Sequence, residues 1–514
     1  MTSRPQLRRG LRALAATLLL AVTARAEVRL PALFSDNALF QQGRRIPVWG
    51  WATPGERVTV EFAGRRVSAV TGADGRWRAD LPASRAGGPY DLRVSGTGDL
   101  LRTNILVGEV WIASGQSNME WPMRLTEDPG PALDASYNNH IRLFTVPKLK
   151  ADAPMDDVEA QWLPARPEHL TNFSATAYYF ARALQAERGV PVGIIHTSWG
   201  GSPAEVWMRE GVLSAVPEFE QDILGAYSGA RLRADEAIAA WEKEAAEARA
   251  QGRQPARGRP GLPWKPTELY NGMIAPLIPY AIAGAIWYQG ESNAGRADQY
   301  ARLCPSMILN WREDWDQGDF PFLFVQLAPW DKNRKRTLAE IAAAPGDSDW
   351  AELREAQLFT TKLLPETGMA VTTDLGDKDD IHPQKKREVG ERLALLARGI
   401  AYGERITASG PEFRRMTVRQ GEAVLSFDHV GAGLEARGGR LQGFQIAGSD
   451  RQWAWADARI ESDRVIVSSP KVPTPLAVRY GWADFPMVNL FNKDGLPATP
   501  FRTDNFPLTT VKKP

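Results

Sequence analysis

Glu109-Val110-Trp111-Ile112-Ala113, running straight into Ser114-Gly115-Gln116-Ser117-Asn118-Met119-Glu120-Trp121, decides how this chain folds. A short β-prone run gives way at once to small and polar residues. The same change of character recurs downstream. Val192–His196 leads into Ser198-Trp199-Gly200-Gly201-Ser202-Pro203-Ala204-Glu205. Ala285–Tyr288 leads into Gln289-Gly290-Glu291-Ser292-Asn293-Ala294. Met369–Thr373 leads into Asp374-Leu375-Gly376-Asp377-Lys378-Asp379-Asp380-Ile381-His382-Pro383. Phe322–Leu327 is one more strand. Helical patterns lie between them: Ala175–Glu187 with Ser174 as N-cap, Asp298–Trp315, a stretch near Ala351–Leu364, and Pro383–Ala401 with Val389, Leu393, Leu396 and Ile400 on one face. Strand-helix alternation predicts an α/β domain, a parallel sheet with helices on both faces.

Outward from this middle, both ends read as β. Ile46–Trp49, Val58–Phe62, Val67–Val70 and Tyr90–Val94 are short strands separated by Gly- and Pro-rich turns, and Pro47 confines the first to an edge. From about Ala408 to Phe506 the pattern repeats. The spacing predicts β-sandwich-like regions at both ends. The expected division is 27–105, N-terminal β; 106–403, the α/β domain; and 404–514, C-terminal β. A charged, Ala-rich helical insertion falls at about 210–265. Residues 1–26 read as a secretory signal: Arg4, Arg8, Arg9 and Arg12, an apolar Ala13–Val22, then Ala24-Arg25-Ala26. The alternative is an amphipathic N-terminal helix. The apolar run is shorter than the ~20 residues a bilayer span needs. The expected location is periplasmic or secreted.

Composition excludes several classes. Lys and Arg number 62 against 61 Asp and Glu, so the chain has no electrostatic footprint for nucleic acid. A single cysteine, Cys304, excludes an intrachain disulfide and a multi-Cys zinc site. No cofactor and no metal are expected. The 18 Trp are more than a core alone usually holds and hint at stacking platforms for sugars.

In an open α/β sheet, function sits beyond the carboxyl ends of the strands. Four loops there supply a hydroxyl, glycine amides, an amide side chain and an imidazole near carboxylates. These are the parts of acyl transfer through a serine nucleophile. Ser117 is the candidate nucleophile. His382 is the base, since an unperturbed imidazole titrates near pH ~6.5. Asp379 and Asp380 stand three and two residues before it, and either could orient the ring. The Ser117 amide, the Gly201 or Gly200 amide and the Asn293 side chain are candidate oxyanion donors. Taken singly, each residue has a plainer reading: Ser117 or His382 as a helix cap, Asn293 as a turn residue, Gly200-Gly201 as a tight turn. Met119 stands where the Gly-x-Ser-x-Gly elbow of α/β-hydrolases needs glycine, which disfavours that fold.

Together the four blocks resemble the SGNH-hydrolase superfamily in its sialate O-acetylesterase-like branch. Gly108-Glu109-Val110-Trp111 leading to Gly115-Gln116-Ser117-Asn118-Met119 is similar to the nucleophile block. Trp199–Glu205, Trp287–Asn293 and Asp380-Ile381-His382-Pro383 are similar to the other three. The resemblance covers roughly Leu106 to Ala401. It implies a three-layer α/β/α fold, removal of O-acetyl groups from sugars without a metal, and Ser117, His382, Gly201 and Asn293 in the roles above. The superfamily spacing puts the triad carboxylate at Asp379, whereas some members of the branch use a backbone carbonyl. Gln116, Gln289, Glu291 and Trp199 are candidate substrate-binding residues.

The partner expected is an acetylated sugar or oligosaccharide. A sialate would need a cation, and Arg124, Lys148 and Arg209 flank the loops. A neutral plant cell-wall polysaccharide such as xyloglucan or xylan would instead want exposed aromatics, and Trp121, Trp162, Trp199, Trp207, Trp264 and Trp330 lie near them. A non-catalytic carbohydrate-binding protein and a lipase or peptidase are the competing classes. The charged 231–253 stretch is unlike an apolar lipase lid.

Overall fold

The computed structural model describes residues 27–332 and 336–512. Residues 1–26, expected to be a secretory signal, lie outside the described residues. The central sheet comprises β1 (Asp99–Gly115), β2 (Asn138–Thr145), β3 (Trp162–Ala165), β4 (Val192–Ser198), β5 (Gly284–Tyr288), β6 (Phe322–Val325) and β7 (Thr367–Ala370). Their spatial order is β7-β6-β5-β1-β4-β2-β3. All neighbours are parallel except the edge pair β2 and β3. Strands β4 to β6 are buried along their whole length, as a sheet covered on both faces requires.

Alternate residues divide between two layers. Trp111, Ala113, Ile286 and Leu323 pack with Phe180 and Leu184 of α2 (Ala175–Arg188) and Val389 and Leu393 of α6 (Lys386–Ile400). Ile112, Trp287 and Phe324 face the other way. They meet Tyr300, Met307 and Trp311 of α4 (Ala297–Trp315) and Leu353 of α5 (Asp349–Leu363). Ser174 caps α2 by accepting the Ala177 N–H, and Gly189 ends it in the left-handed region. The insertion is α3 (Ala226–Ala250), largely exposed, as its charge pattern predicts.

Three boundaries differ from expectation. The run expected over Glu109–Ala113 is the end of a much longer strand. The first half of β1 pairs antiparallel with Gly87–Ser95 and parallel with Leu39–Gln41, so the N-terminal strands hydrogen-bond into the same sheet through β1. Strands β2 and β3 were not foreseen. They open on Asn138-Asn139-His140 and contain Pro164, and both signals oppose a strand. Helix α6 starts at Lys386 and not near Pro383, because Pro383 to Lys385 form the connection out of the histidine loop.

At the C-terminus, two antiparallel sheets face one apolar cluster. Glu412–Arg419, Glu422–Asp428, Asp457–Glu461 and Arg464–Ser468 form one; Phe444–Ala447, Trp453–Trp455, Ala477–Tyr480 and Phe501–Arg502 form the other. The buried Arg354 guanidinium ties them to the central domain by donating to the carbonyls of Leu327, Ala483 and Asp484. Among the described residues, no helix is long and apolar enough to cross a membrane.

Candidate active site

The chain leaves β1, builds β2 to β4 on one side, then returns to build β5 to β7 on the other. The end of β1, between β4 and β5, is therefore the topological switch point where such sheets bind ligands. The register makes this concrete: Ser198 of β4 and Tyr288 of β5 both align with Gly115. Three site loops thus start at one level. Gly115 has φ +133°, and a Cβ there would collide with the Tyr288 carbonyl. With the chain so bent, Ser117 opens the short helix α1 (Ser117–Glu120), where its N–H has no intrahelical acceptor.

The Ser117 Oγ lies 2.8 Å from His382 Nε2, across 265 residues of sequence. His382 is half-buried and stacks on Trp121, with ring centroids 5.0 Å apart at 16°. A second serine-histidine pair, His196 Nε2 and Ser198 Oγ at 2.6 Å, lies buried in β4. Burial pushes His196 down to about 4, so that imidazole is neutral at physiological pH.

The carboxylates behave differently from expectation. Asp379, the preferred partner, is exposed and its carboxylate is held by Lys378. Asp380 Oδ1 accepts the His382 backbone N–H at 2.9 Å and sits 3.6 Å from His382 Nδ1. That separation exceeds a hydrogen bond, but of the two it is the Asp380 carboxylate that faces the ring. The cause is the turn. Asp377 Oδ1 accepts the N–H groups of Asp379 and Asp380, which curls the loop and sets the exposed Asp380 carboxylate beside the His382 ring.

The expected donors differ in what else they hold. Gly201 has φ +77°, and its N–H has no acceptor among the described residues. Asn293 is buried, and its amide orientation is determined by its partners. Its Oδ1 accepts from Gln289 Nε2 at 2.6 Å and from the Ala204 N–H at 3.0 Å, while Nδ2 gives one hydrogen to Glu205 at 3.0 Å. The other hydrogen has no acceptor among the described residues. Gly200 does not join them: its N–H donates to Glu120 Oε2 at 2.7 Å.

Of the residues expected to touch substrate, three do other work. Gln116 is buried and its Oε1 accepts the Gly290 and Ser292 N–H groups, latching the third loop to the first. Gln289 is buried and holds Asn293. Glu291 accepts from Asn118 Nδ2 at 2.6 Å. Although the Glu291 residue is partly exposed, its Oε2 is shut away from solvent, and burial raises its pKa. These contacts inside the protein fix the third loop against the first, while Glu291 Oε2 has no hydrogen-bond partner among the described residues. Trp199 is half-buried at the rim, edge-on to Trp264 and within 5.6 Å of the Lys148 ammonium. Lys148 also pairs with Glu120 at 2.6 Å. Arg124 instead donates to Asn172 and Arg209 pairs with Glu313. Trp162 and Trp207 are core.

Sequence reasoning did not assign Asn118 and Lys386. Buried Asn118 donates to the Ile381 carbonyl at 3.0 Å as well as to Glu291, and accepts from Lys386 Nζ at 2.5 Å. Burial pushes Lys386 down to about 7. The signal available was Asn118 itself, a polar residue inside the nucleophile block. Among the described residues, no group of three or more His, Cys, Asp or Glu could hold a metal.

A family model described as carbohydrate esterase, sialic acid-specific acetylesterase, matches residues 253–398, which include the Asn293 and His382 loops. Mouse sialate O-acetylesterase is 29% identical over 85% of this chain and 86% of its own length. The human sialate O-acetylesterase is 28% identical over 91% and 90%. The crystal structure of a carbohydrate acetylesterase from Xanthomonas citri is 40% identical, with a TM-score of 0.79 over 93% of this chain and 100% of that one.

Proposed function

The chain belongs to the carbohydrate acetylesterases and is a carboxylic ester hydrolase, and from that premise we propose that it removes O-acetyl groups from carbohydrate through a Ser117–His382 acyl-enzyme. The observation that carries this reading is the 2.8 Å contact between Ser117 Oγ and His382 Nε2 at the sheet's switch point.

The chemistry follows from the placement. His382 Nε2 takes the hydroxyl proton as Ser117 Oγ attacks the acetyl carbonyl carbon. The carbonyl oxygen becomes an oxyanion, received by the Ser117 and Gly201 N–H groups and Asn293 Nδ2. The imidazolium returns its proton to the departing sugar oxygen as the C–O bond breaks, leaving acetyl on Ser117. Water, deprotonated by His382, then attacks the acetyl carbon. Acetate leaves, and Oγ recovers its proton from the imidazolium. Asp380 beside Nδ1 favours the charged ring formed in each half-reaction.

The substrate reading is a sialate O-acetylesterase-like one. Its support is the likeness to the sialate O-acetylesterases, with Lys148, paired to Glu120 beside Trp199, as the cation a substrate carboxylate would have to recruit. A second reading, acetylated xyloglucan or xylan oligosaccharides, is favoured by the half-exposed Trp199 and Trp264 faces. We also read the α/β unit over 106–403 as an SGNH-type three-layer domain, 27–105 and 404–514 as β-sandwich-like regions, and residues 1–26 as a signal directing secretion. Acetate release from acetylated sialosides, xylans and xyloglucan oligosaccharides, by wild type and Ser117→Ala, tests the function. Loss of all release in Ser117→Ala is expected. Retained release would remove the assignment, and the preferred acetylated substrate decides between the two readings.

A further inference from the structure

A cleft of about 260 Å³ opens among the C-terminal strands, against the short helix Leu338–Ala343. Leu441, Phe444, Phe485 and Met487 give it apolar walls. Trp455, on the edge strand Trp453–Trp455, stands at its side with 37% of its surface exposed. Two buried polar atoms of the lining residues have no hydrogen-bond partner among the described residues: Gln445 Oε1 and Trp482 Nε1. Their side chains are 1% and 2% exposed. The Gln445 amide cannot simply turn to relieve this. Its Nε2 already donates to the Trp482 carbonyl at 3.0 Å, which leaves Oε1 as the free end.

An orphaned donor and an orphaned acceptor inside one apolar cleft are costly unless something supplies both partners. A small apolar pocket with a few convergent polar groups is the usual form of a ligand site. A sugar hydroxyl both gives and accepts a hydrogen bond, and a pyranose C–H face packs on an indole. The rim charges, Arg440 and Asp457, are paired with each other at 2.5 Å, so neither is left to attract an ion. The ligand the cleft favours is therefore uncharged.

The cleft is also mechanically joined to the histidine loop. The Trp330 N–H donates to the Asp484 carbonyl, and the Asp331 N–H donates to the Lys378 carbonyl, just before Asp379 and Asp380. Arg354 clamps Ala483 and Asp484 from below. We propose that this cleft is a second, non-catalytic site that binds a neutral sugar unit of the glycan bearing the acetyl ester, with Trp455 as platform and Gln445 and Trp482 as polar contacts. The identity of that glycan as substrate rests on the esterase reading above; the cleft itself does not.

The test is calorimetric titration of the full-length protein with unacetylated xylohexaose, cellohexaose and a xyloglucan oligosaccharide, with sialyllactose as the charged comparison. At least one neutral oligosaccharide should bind. Trp455→Ala and Gln445→Leu should each weaken it tenfold or more, while Trp455→Ala leaves nitrophenyl acetate hydrolysis unchanged. Thermal unfolding checks that each variant folds; Trp455 is partly exposed, so its variant decides the matter if Gln445→Leu does not fold. No binding by any neutral oligosaccharide, binding undiminished in Trp455→Ala, or equal binding of sialyllactose would overturn the proposal. Ser117→Ala with full hydrolysis would overturn the esterase reading alone and leave the binding result readable.

Discussion

Asn118 Nδ2 donates to the Ile381 carbonyl at 3.0 Å, so the residue after the candidate nucleophile holds the residue before the candidate base. Asn118 is completely buried, and its remaining bonds run to Glu291 and Lys386. One side chain thereby ties the nucleophile, the third loop and the start of α6 together. Asn118→Ala should lower kcat about 10²-fold and leave KM within about twofold, since a misplacement near 1 Å has that cost in oriented catalysis. Steady-state kinetics with a nitrophenyl acetate check this. An equal rise in KM would place Asn118 in binding instead.

Ser117→Ala and His382→Ala should be about equally damaging, and the double variant no worse than either, because groups that act as one unit do not lose activity additively. Acetate release measured on all three, with thermal unfolding alongside, settles it. A double variant far below both singles would mean that His382 is not the base.

Asp380→Asn should cut kcat at least tenfold, toward the ~10⁴-fold loss that a wrong imidazole tautomer causes in serine proteases. Asp379→Asn should stay within about threefold, because its carboxylate faces Lys378 and not the ring. The reverse ranking would return the role to Asp379. Two small effects would leave a backbone carbonyl as the orienting group.

Lys386 makes stability depend on pH. Burial pushes it down to about 7, against about 10.4 in the unfolded chain. Between these values the unfolded state holds more protons, so stability rises with pH across this window and is lowest below it. The facing carboxylates are Glu291 and Asp380. Glu291 is raised by burial, so its own contribution falls as pH climbs through its folded value, in a window that starts from the ordinary carboxylate range. Denaturant unfolding at pH 7, 8 and 9 should show wild type gaining on Lys386→Met by up to about 1.4 kcal/mol per pH unit. Parallel curves would mean that Lys386 titrates at its ordinary value.

Much of this architecture is legible in the amino-acid sequence. Apolar strands that each end in small polar residues announce a parallel sheet and point to its carboxyl edge, because burial on both faces demands unbroken apolar runs and function collects where they stop. Ser117, Gly201, Asn293 and His382 were singled out that way as candidates, one per loop. What the amino-acid order determined alone was local: periodicity, caps, and which loops carry which functional groups. Only the tertiary structure decided among residues chemically able to do the same work. Gly200 and Gly201 are identical in sequence, and one amide is spent on Glu120 while the other is open. Asp379 and Asp380 differ only in which way the Asp377 turn aims them. Gln116, Gln289 and Glu291 have the chemistry of ligand contacts, and the fold gives each of them a partner on another site loop or within its own. A hydrogen-bonding group goes to the partner that packing brings within 3 Å, and contacts spanning 88, 173 and 265 residues, such as Asn293 to Glu205, Asn118 to Glu291 and Ser117 to His382, are created by the fold and leave no local trace in the chain.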